Sequence, residues 1–236
     1  LMFIKPGVDV SVQDLEWGVV ISSGNDASVA IAEDLAGSEA VFAEMMNKAA
    51  QELGMTGSYF VNSHGLPDPR HLMTARDLAI LSKAIITRHP EHYAIYKERE
   101  FTYNNIRQYN RNTLLGVDPS VDGLKTGHTA EAGYCLVASA LRNDMRLIAV
   151  VMGTASTKAR KEAAGSLLNY GFRFYETVKV FAAMHELEQP RVWKGQQDLV
   201  PVGLIDGTVL TLPRGKSKEL VTSVELDPQL VAPLAV

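Results

Sequence analysis

Several things are scarce or missing in this chain of 236 residues. It has one cysteine, Cys135, so no intrachain disulfide can form and a disulfide scaffold is excluded. It has no basic excess. Its 23 Lys and Arg stand against 27 Asp and Glu, giving a net charge of −4, so nothing is in place to neutralise phosphates and no nucleic-acid partner is expected. No uninterrupted apolar stretch reaches the roughly 18–20 residues of a membrane-spanning helix. No signal-peptide pattern, internal repeat or low-complexity segment appears. What is present is a hydrophobic fraction of 46%, enough for a main domain with a sizeable core and a small second one.

The first third reads as punctuated helix. Ser11 is a cap before a short helix, and a break falls at Ser22-Ser23-Gly24-Asn25. A second helix covers 26–35 and ends near Gly37. A third follows Ser38, with Val41, Met45, Met46, Ala49, Ala50 and Leu53 at helical spacing and Gly54 as its terminator. Turn residues crowd 62–69. Thr74-Ala75-Arg76-Asp77 resembles a capping box with Asp in place of Glu, and its helix stops before Pro90. Short strands are expected at Phe101, Tyr103 and 107–109. Two apolar runs, 133–141 and 145–152, are split by Arg142-Asn143-Asp144 and read as a buried β-hairpin. A helix over 157–175 carries Ala163, Leu167, Tyr170 and Phe174 on one stripe. Beyond it, β-like pieces at 199–202, 208–212 and 220–226 define a small all-β domain. The expected division is 1–178 and 179–236. Cys135, inside the apolar run, is expected to be a small buried hydrophobe.

Two short motifs carry chemistry. In Lys125-Thr126-Gly127 an ammonium and a hydroxyl can meet an anion together. On a strand edge, Gly127 removes the Cβ that would obstruct an extended peptide, and the N–H of His128 can face a developing oxyanion. In Ser23-Gly24-Asn25 a hydroxyl can relay a proton and an amide can hold a carbonyl. Alone, each is modest: a given tripeptide arises by chance in roughly one chain in thirty of this length, and S-x-N in roughly half. The plain alternatives are a solvated lysine and a helix-capping turn. Their order and setting, S-x-N between helices and K-T-G before a long hairpin and a helix, give the pair its force. The third element of acyl-serine enzymes, a serine followed three residues later by lysine, does not occur in the chain.

The whole length resembles the D-alanyl-D-alanine carboxypeptidases, low-molecular-mass penicillin-binding proteins of the peptidase S11 type. The resemblance rests on Leu1-Met2-Phe3-Ile4-Lys5-Pro6-Gly7, Ser22-Ser23-Gly24-Asn25-Asp26-Ala27, Ile95-Tyr96-Lys97-Glu98, Asn110-Arg111-Asn112, Val121-Asp122-Gly123-Leu124-Lys125-Thr126-Gly127-His128-Thr129, Ala132-Gly133-Tyr134 and Tyr170-Gly171-Phe172-Arg173-Phe174. It implies an α+β fold, a serine β-lactamase/penicillin-binding-protein-like transpeptidase domain with an antiparallel sheet flanked by helices, plus a small C-terminal β domain. It implies that Ser23, Asn25 and Lys125 are catalytic, with the backbone N–H of His128 in the oxyanion hole. Thr126, Gly127 and Arg160 would bind substrate, the arginine fork matching a carboxylate. Arg111 is expected to be structural, and His64 and His71 to be loop histidines rather than metal ligands. No metal or cofactor is implied. The expected partners are a peptidoglycan stem peptide ending in D-Ala-D-Ala and β-lactam antibiotics. The expected location is the periplasm, peripheral to the inner membrane. Family members carry the nucleophilic serine and its lysine base ahead of the position of Leu1, and a membrane-anchoring helix beyond that of Val236. The nucleophile would therefore come from a preceding segment, on the same or a separate chain. The alternatives are a β-lactamase or DD-endopeptidase on the same fold, or a non-catalytic peptidoglycan-binding scaffold.

Overall fold

The computed structural model describes residues 1–227 and 229–233. The chain forms two compact units that divide between Tyr170 and Gly171.

The first unit opens with an extended segment and three helices, α1 (Val12–Val20), α2 (Asn25–Ala36) and α3 (Glu39–Glu52). Local chemistry sets their ends. Ser11 Oγ accepts from the Asp14 N–H at 3.0 Å and Ser38 Oγ from the Val41 N–H at 3.3 Å. Gly37 and Gly54 stop α2 and α3 in the left-handed region, with φ of +74° and +79°. α4 (Ala75–Arg88) is capped by Thr74 as expected, but the Thr74 N–H donates to Ser58 Oγ at 3.2 Å and not to the Asp77 carboxylate, so the capping box is incomplete. Asp77 is buried and accepts from the Gly57 N–H (2.9 Å) and Ser58 Oγ (2.7 Å), so it ties the helix to a distant turn instead. Pro90 opens the one-turn α5 (Pro90–Tyr93).

The β elements follow. β1 (Glu100–Tyr103) and β2 (Ile106–Tyr109) form a hairpin whose turn residues Asn104 and Asn105 both have positive φ. β3 (Val121–Thr129), β4 (Gly133–Arg142) and β5 (Met145–Thr154) form an antiparallel sheet in that order, so β3 lies at an edge. Asn143 and Asp144, again at positive φ, make the β4–β5 turn. Leu136, Val137, Ala138 and Ala140 of β4 are buried, and helix α6 (Thr157–Phe174) follows β5.

The second unit holds six strands among its described residues: β6 (Tyr175–Phe181), β7 (His185–Glu188), β8 (Val192–Trp193), β9 (Val202–Leu204), β10 (Thr208–Pro213) and β11 (Leu230–Val231). They pair β6 with β10, β7 with β9 and β8 with β11. The strand expected at 220–226 is absent, and 220–227 has no regular structure.

Two helix faces differ from expectation. On α3 it is Ala43 and Ala50 that are buried, while Val41 and Met45 are exposed. On α6 it is Arg160, Ala164 and Leu168 that are buried, while Leu167 and Tyr170 are 49% and 55% exposed. On α3 small alanines form the inner face, which lets the helix approach closely; on α6 the inner face is offset from the expected stripe and includes the larger Arg160 and Leu168 beside Ala164. Cys135 is half-buried rather than buried.

Candidate active site

The site begins at the turn between α1 and α2. Ser23 sits there with φ of +51°, unusual for a residue bearing a Cβ. Several contacts hold this turn. The Gly24 N–H donates to the Gly18 carbonyl at 3.0 Å. Residues 1–4 cross over it: a Cβ at Gly24 would lie 3.2 Å from Met2 N, and one at Gly18 would run into Met2 Sδ. Asp26 fastens that crossing segment, accepting from the N–H groups of Met2 (2.8 Å), Phe3 (2.7 Å) and Ile4 (3.3 Å) as well as from Ala27 (3.1 Å). Burial pushes its carboxyl up, but these backbone donors outweigh it and hold the group below the ordinary carboxylate range. Met2 itself is fully buried among Leu15, Val20, Ile21, Ala27 and Phe101.

Lys125 reaches this turn from β3. Its ammonium donates to Ser23 Oγ, 102 residues away in sequence, and to the Thr126 carbonyl at 3.2 Å. Burial, then the charges of Arg111 and Arg160, lower its pKa to about 8. Arg111, expected to be structural, is exposed, and its charge is the larger of the two that act on Lys125; its neighbour in the chain, Asn112, is buried. Arg160 is 6% exposed and is no surface arginine. Its Nη1 donates to the carbonyls of Gly127 (3.2 Å) and Cys135 (3.4 Å), and its guanidinium lies over the Tyr134 ring. That ring also packs against His128, with centroids 4.0 Å apart.

The remaining residues are placed as follows. Thr126 is buried on β3, and His128 is exposed next to Gly127. Asn25 is half-buried as the first residue of α2, two residues after Ser23. At Gly127 an added Cβ would meet nothing closer than Cys135 Cβ at 3.9 Å, so the protein's own packing does not require glycine there. The structure thus brings Ser23 and Lys125 into contact, and sets Arg160 on the Gly127 carbonyl. It shows no side-chain contact joining Asn25 or the Thr126 hydroxyl to them. Among the described residues no carboxylate pairs with Lys125, Arg111 or Arg160, so three cations converge in a protein of net charge −4. His64 lies away from this arrangement on Glu39 (3.3 Å), and His71 packs edge-on to Phe60.

Residues 1–156 match the family described as D-alanyl-D-alanine carboxypeptidase (Peptidase_S11). The chain belongs to that family. Residues 175–236 of this family member match the C-terminal domain of penicillin-binding protein 5. The D-alanyl-D-alanine carboxypeptidase DacC of Escherichia coli (strain K12) is 50% identical over 236 residues, covering 99% of this chain and 59% of that protein. The crystal structure of penicillin-binding protein 5 from Haemophilus influenzae matches with a TM-score of 0.91 at 46% identity, over 99% of this chain and 69% of that one. Penicillin-binding protein D2 from Listeria monocytogenes, in a cefotaxime-bound form, matches with a TM-score of 0.65 at 34% identity, over 69% of this chain and 67% of that one. The fold is therefore the α+β transpeptidase fold of penicillin-binding proteins with a β-rich C-terminal domain. This family member spans about three-fifths of the length of the curated relatives it matches. Among the described residues no helix is long and apolar enough to cross a membrane.

Proposed function

We propose that the whole protein is a serine-type D-alanyl-D-alanine carboxypeptidase. It removes the terminal D-alanine from peptidoglycan stem peptides through an acyl-serine intermediate. The observation that carries this reading is the hydrogen bond from the Lys125 ammonium to Ser23 Oγ beside an open strand edge. The attacking serine lies outside these residues in this reading, because none of the chain's serines has a lysine three positions on.

In the proposed reaction an extended peptide lies along the free edge of β3, where Gly127 keeps the approach clear. The three cations favour its terminal carboxylate. Thr126 and the Arg160 donors not engaged with Gly127 and Cys135 hold that group. The serine attacks the D-Ala-D-Ala carbonyl, and the N–H of His128 stabilises the oxyanion. Lys125 and Ser23 form the relay that carries a proton to the departing D-alanine nitrogen. Asn25 holds the peptide carbonyl. Water then hydrolyses the acyl-serine. β-Lactams would acylate the same serine, in keeping with the antibiotic-bound relative. The setting we propose is the periplasm, with the protein peripheral to the inner membrane.

A fluorescent penicillin tests this on the full-length protein. It is expected to label wild type, and to label the Lys125→Ala variant far more slowly. Release of D-alanine from a pentapeptide, but not from a cross-linked dimer, would separate carboxypeptidase from endopeptidase. Absence of labelling of the wild-type full-length protein would overturn the proposal.

A further inference from the structure

Lys125 is held at its tip by Ser23, but the backbone that carries it is held elsewhere. The β3–β4 register shifts between Val121 and Gly123, so the ladder is irregular just before the lysine. At that irregularity Asn112, 2% exposed, donates from Nδ2 to the Gly123 carbonyl at 3.0 Å. Its Oδ1 accepts from the Leu114 N–H at 3.2 Å. Its own N–H donates to Asn110 Oδ1 at 2.9 Å, and Asn110 Nδ2 in turn donates to the Glu98 carbonyl at 2.9 Å. Asn112 thus ties the loop that carries Arg111 to the strand that carries Lys125. A second set of contacts grips the preceding residue. The Asp122 carboxylate accepts from Tyr93 (2.5 Å) and from both terminal nitrogens of Arg146 (2.8 and 2.7 Å). Space at Gly123 is closed by Tyr93, whose hydroxyl would lie 2.8 Å from an added Cβ.

We propose that Asn112 is a positioning residue for Lys125. Its buried carboxamide fixes Gly123, two residues before the lysine, and through the same side chain sets the distance between Arg111 and the Lys125 ammonium. The amide is buried, and its donor and acceptor are both engaged with backbone. Removing it takes one donor from the Gly123 carbonyl and the side-chain acceptor from the Leu114 N–H, which loosens the loop from the strand. The role of Lys125 in acyl transfer rests on the function proposed above, whereas its placement by Asn112 does not.

The test uses the full-length protein labelled with ε-13C lysine, in wild type, Asn112→Ala and Asn112→Asp. The Lys125 titration is followed by NMR and acylation by a fluorescent penicillin. In Asn112→Ala the lysine midpoint is expected to leave its wild-type value, and acylation to slow about 10- to 100-fold, the scale on which ångström misplacement acts. In Asn112→Asp, acylation relative to wild type should recover as pH falls, because a protonated carboxyl regains the donor that Gly123 accepts from. The Asn112→Ala ratio should stay flat. An unchanged lysine midpoint with acylation within twofold of wild type, accompanied only by a lower melting temperature, would overturn the proposal. If Asn112→Ala does not fold, the same two readouts on Asn112→Asp decide. Should wild type fail to react with penicillin while the lysine midpoint still moves, the acyl-transfer reading falls and the positioning role stands.

Discussion

Lys125 carries two burdens that a surface lysine does not: it has given up hydration, and it faces two like charges. Both disfavour the ammonium, so its proton is lost near pH 8 instead of in the usual lysine range. If the ammonium is the working form, penicillin acylation or D-alanine release should fall above about pH 8. Arg111→Ala removes one of the opposing charges. The ammonium becomes easier to keep, and the alkaline limb of the pH–rate profile should move to higher pH. A limb that stays in place would show that Arg111 does not act on this lysine. Gly127 supports a different test. Gly127→Ala has room within the protein, so its melting temperature should stay near wild type while KM for a pentapeptide rises. A loss of stability with unchanged KM would mean that the glycine serves the fold and not the ligand.

Among the elements, what the sequence revealed follows from how far each interaction reaches. The caps at Ser11, Ser38 and Thr74 and the stops at Gly37 and Gly54 depend on neighbours within four residues, and they were readable. The paired motifs were readable too, since strand and turn settings are local. Which face of a helix turns inward was not. Periodicity groups Leu167 with Tyr170, but Ala164 and Leu168 are the residues that meet the core. The use of Asp77 by a turn 20 residues upstream, and the contact of Lys125 with Ser23, depend on tertiary placement that no local pattern encodes. The turn that carries Ser23 depends on a small residue in α1. Gly18→Val would drive a branched side chain into Met2 and displace the segment that Asp26 fastens. Overpacking of this kind destabilises by about 1–3 kcal/mol, readable as a lower midpoint in urea. Acylation should fall with it, because Ser23 loses its support.

For the molecule as a whole, pH acts on stability at both ends of the scale. Asp26, Glu39, Asp77 and Asp118 are all held below their ordinary values by hydrogen bonds formed in the folded chain. The unfolded state therefore binds protons first, and this stabilisation, complete above the ordinary carboxylate range near pH 4, is lost as pH falls through the lowered values. Lys125 works in the opposite range. Its folded pKa is about 8, against about 10.4 for the unfolded chain, so between those values the unfolded state again holds more protons. The contribution of this group to stability should rise as pH rises across that window. Urea denaturation at a series of pH values would show the acid loss in wild type. It would also show an alkaline rise that disappears in Lys125→Met. An alkaline rise that persists in that variant would assign it to another group.

The open edge of β3 has a consequence for what the protein can discriminate. A strand edge offers main-chain donors and acceptors, and every peptide carries the same ones. Such a grip is blind to the identity of the side chains it holds, provided the guest lies extended. In the reading proposed above, selectivity would come from the ends of the guest, where a chain that stops in a carboxylate would meet the charges of Lys125, Arg111 and Arg160 and a chain that continues would not. Lys125 to Gly127 would then join the tolerant edge to the exacting terminus that Arg111 and Arg160 complete.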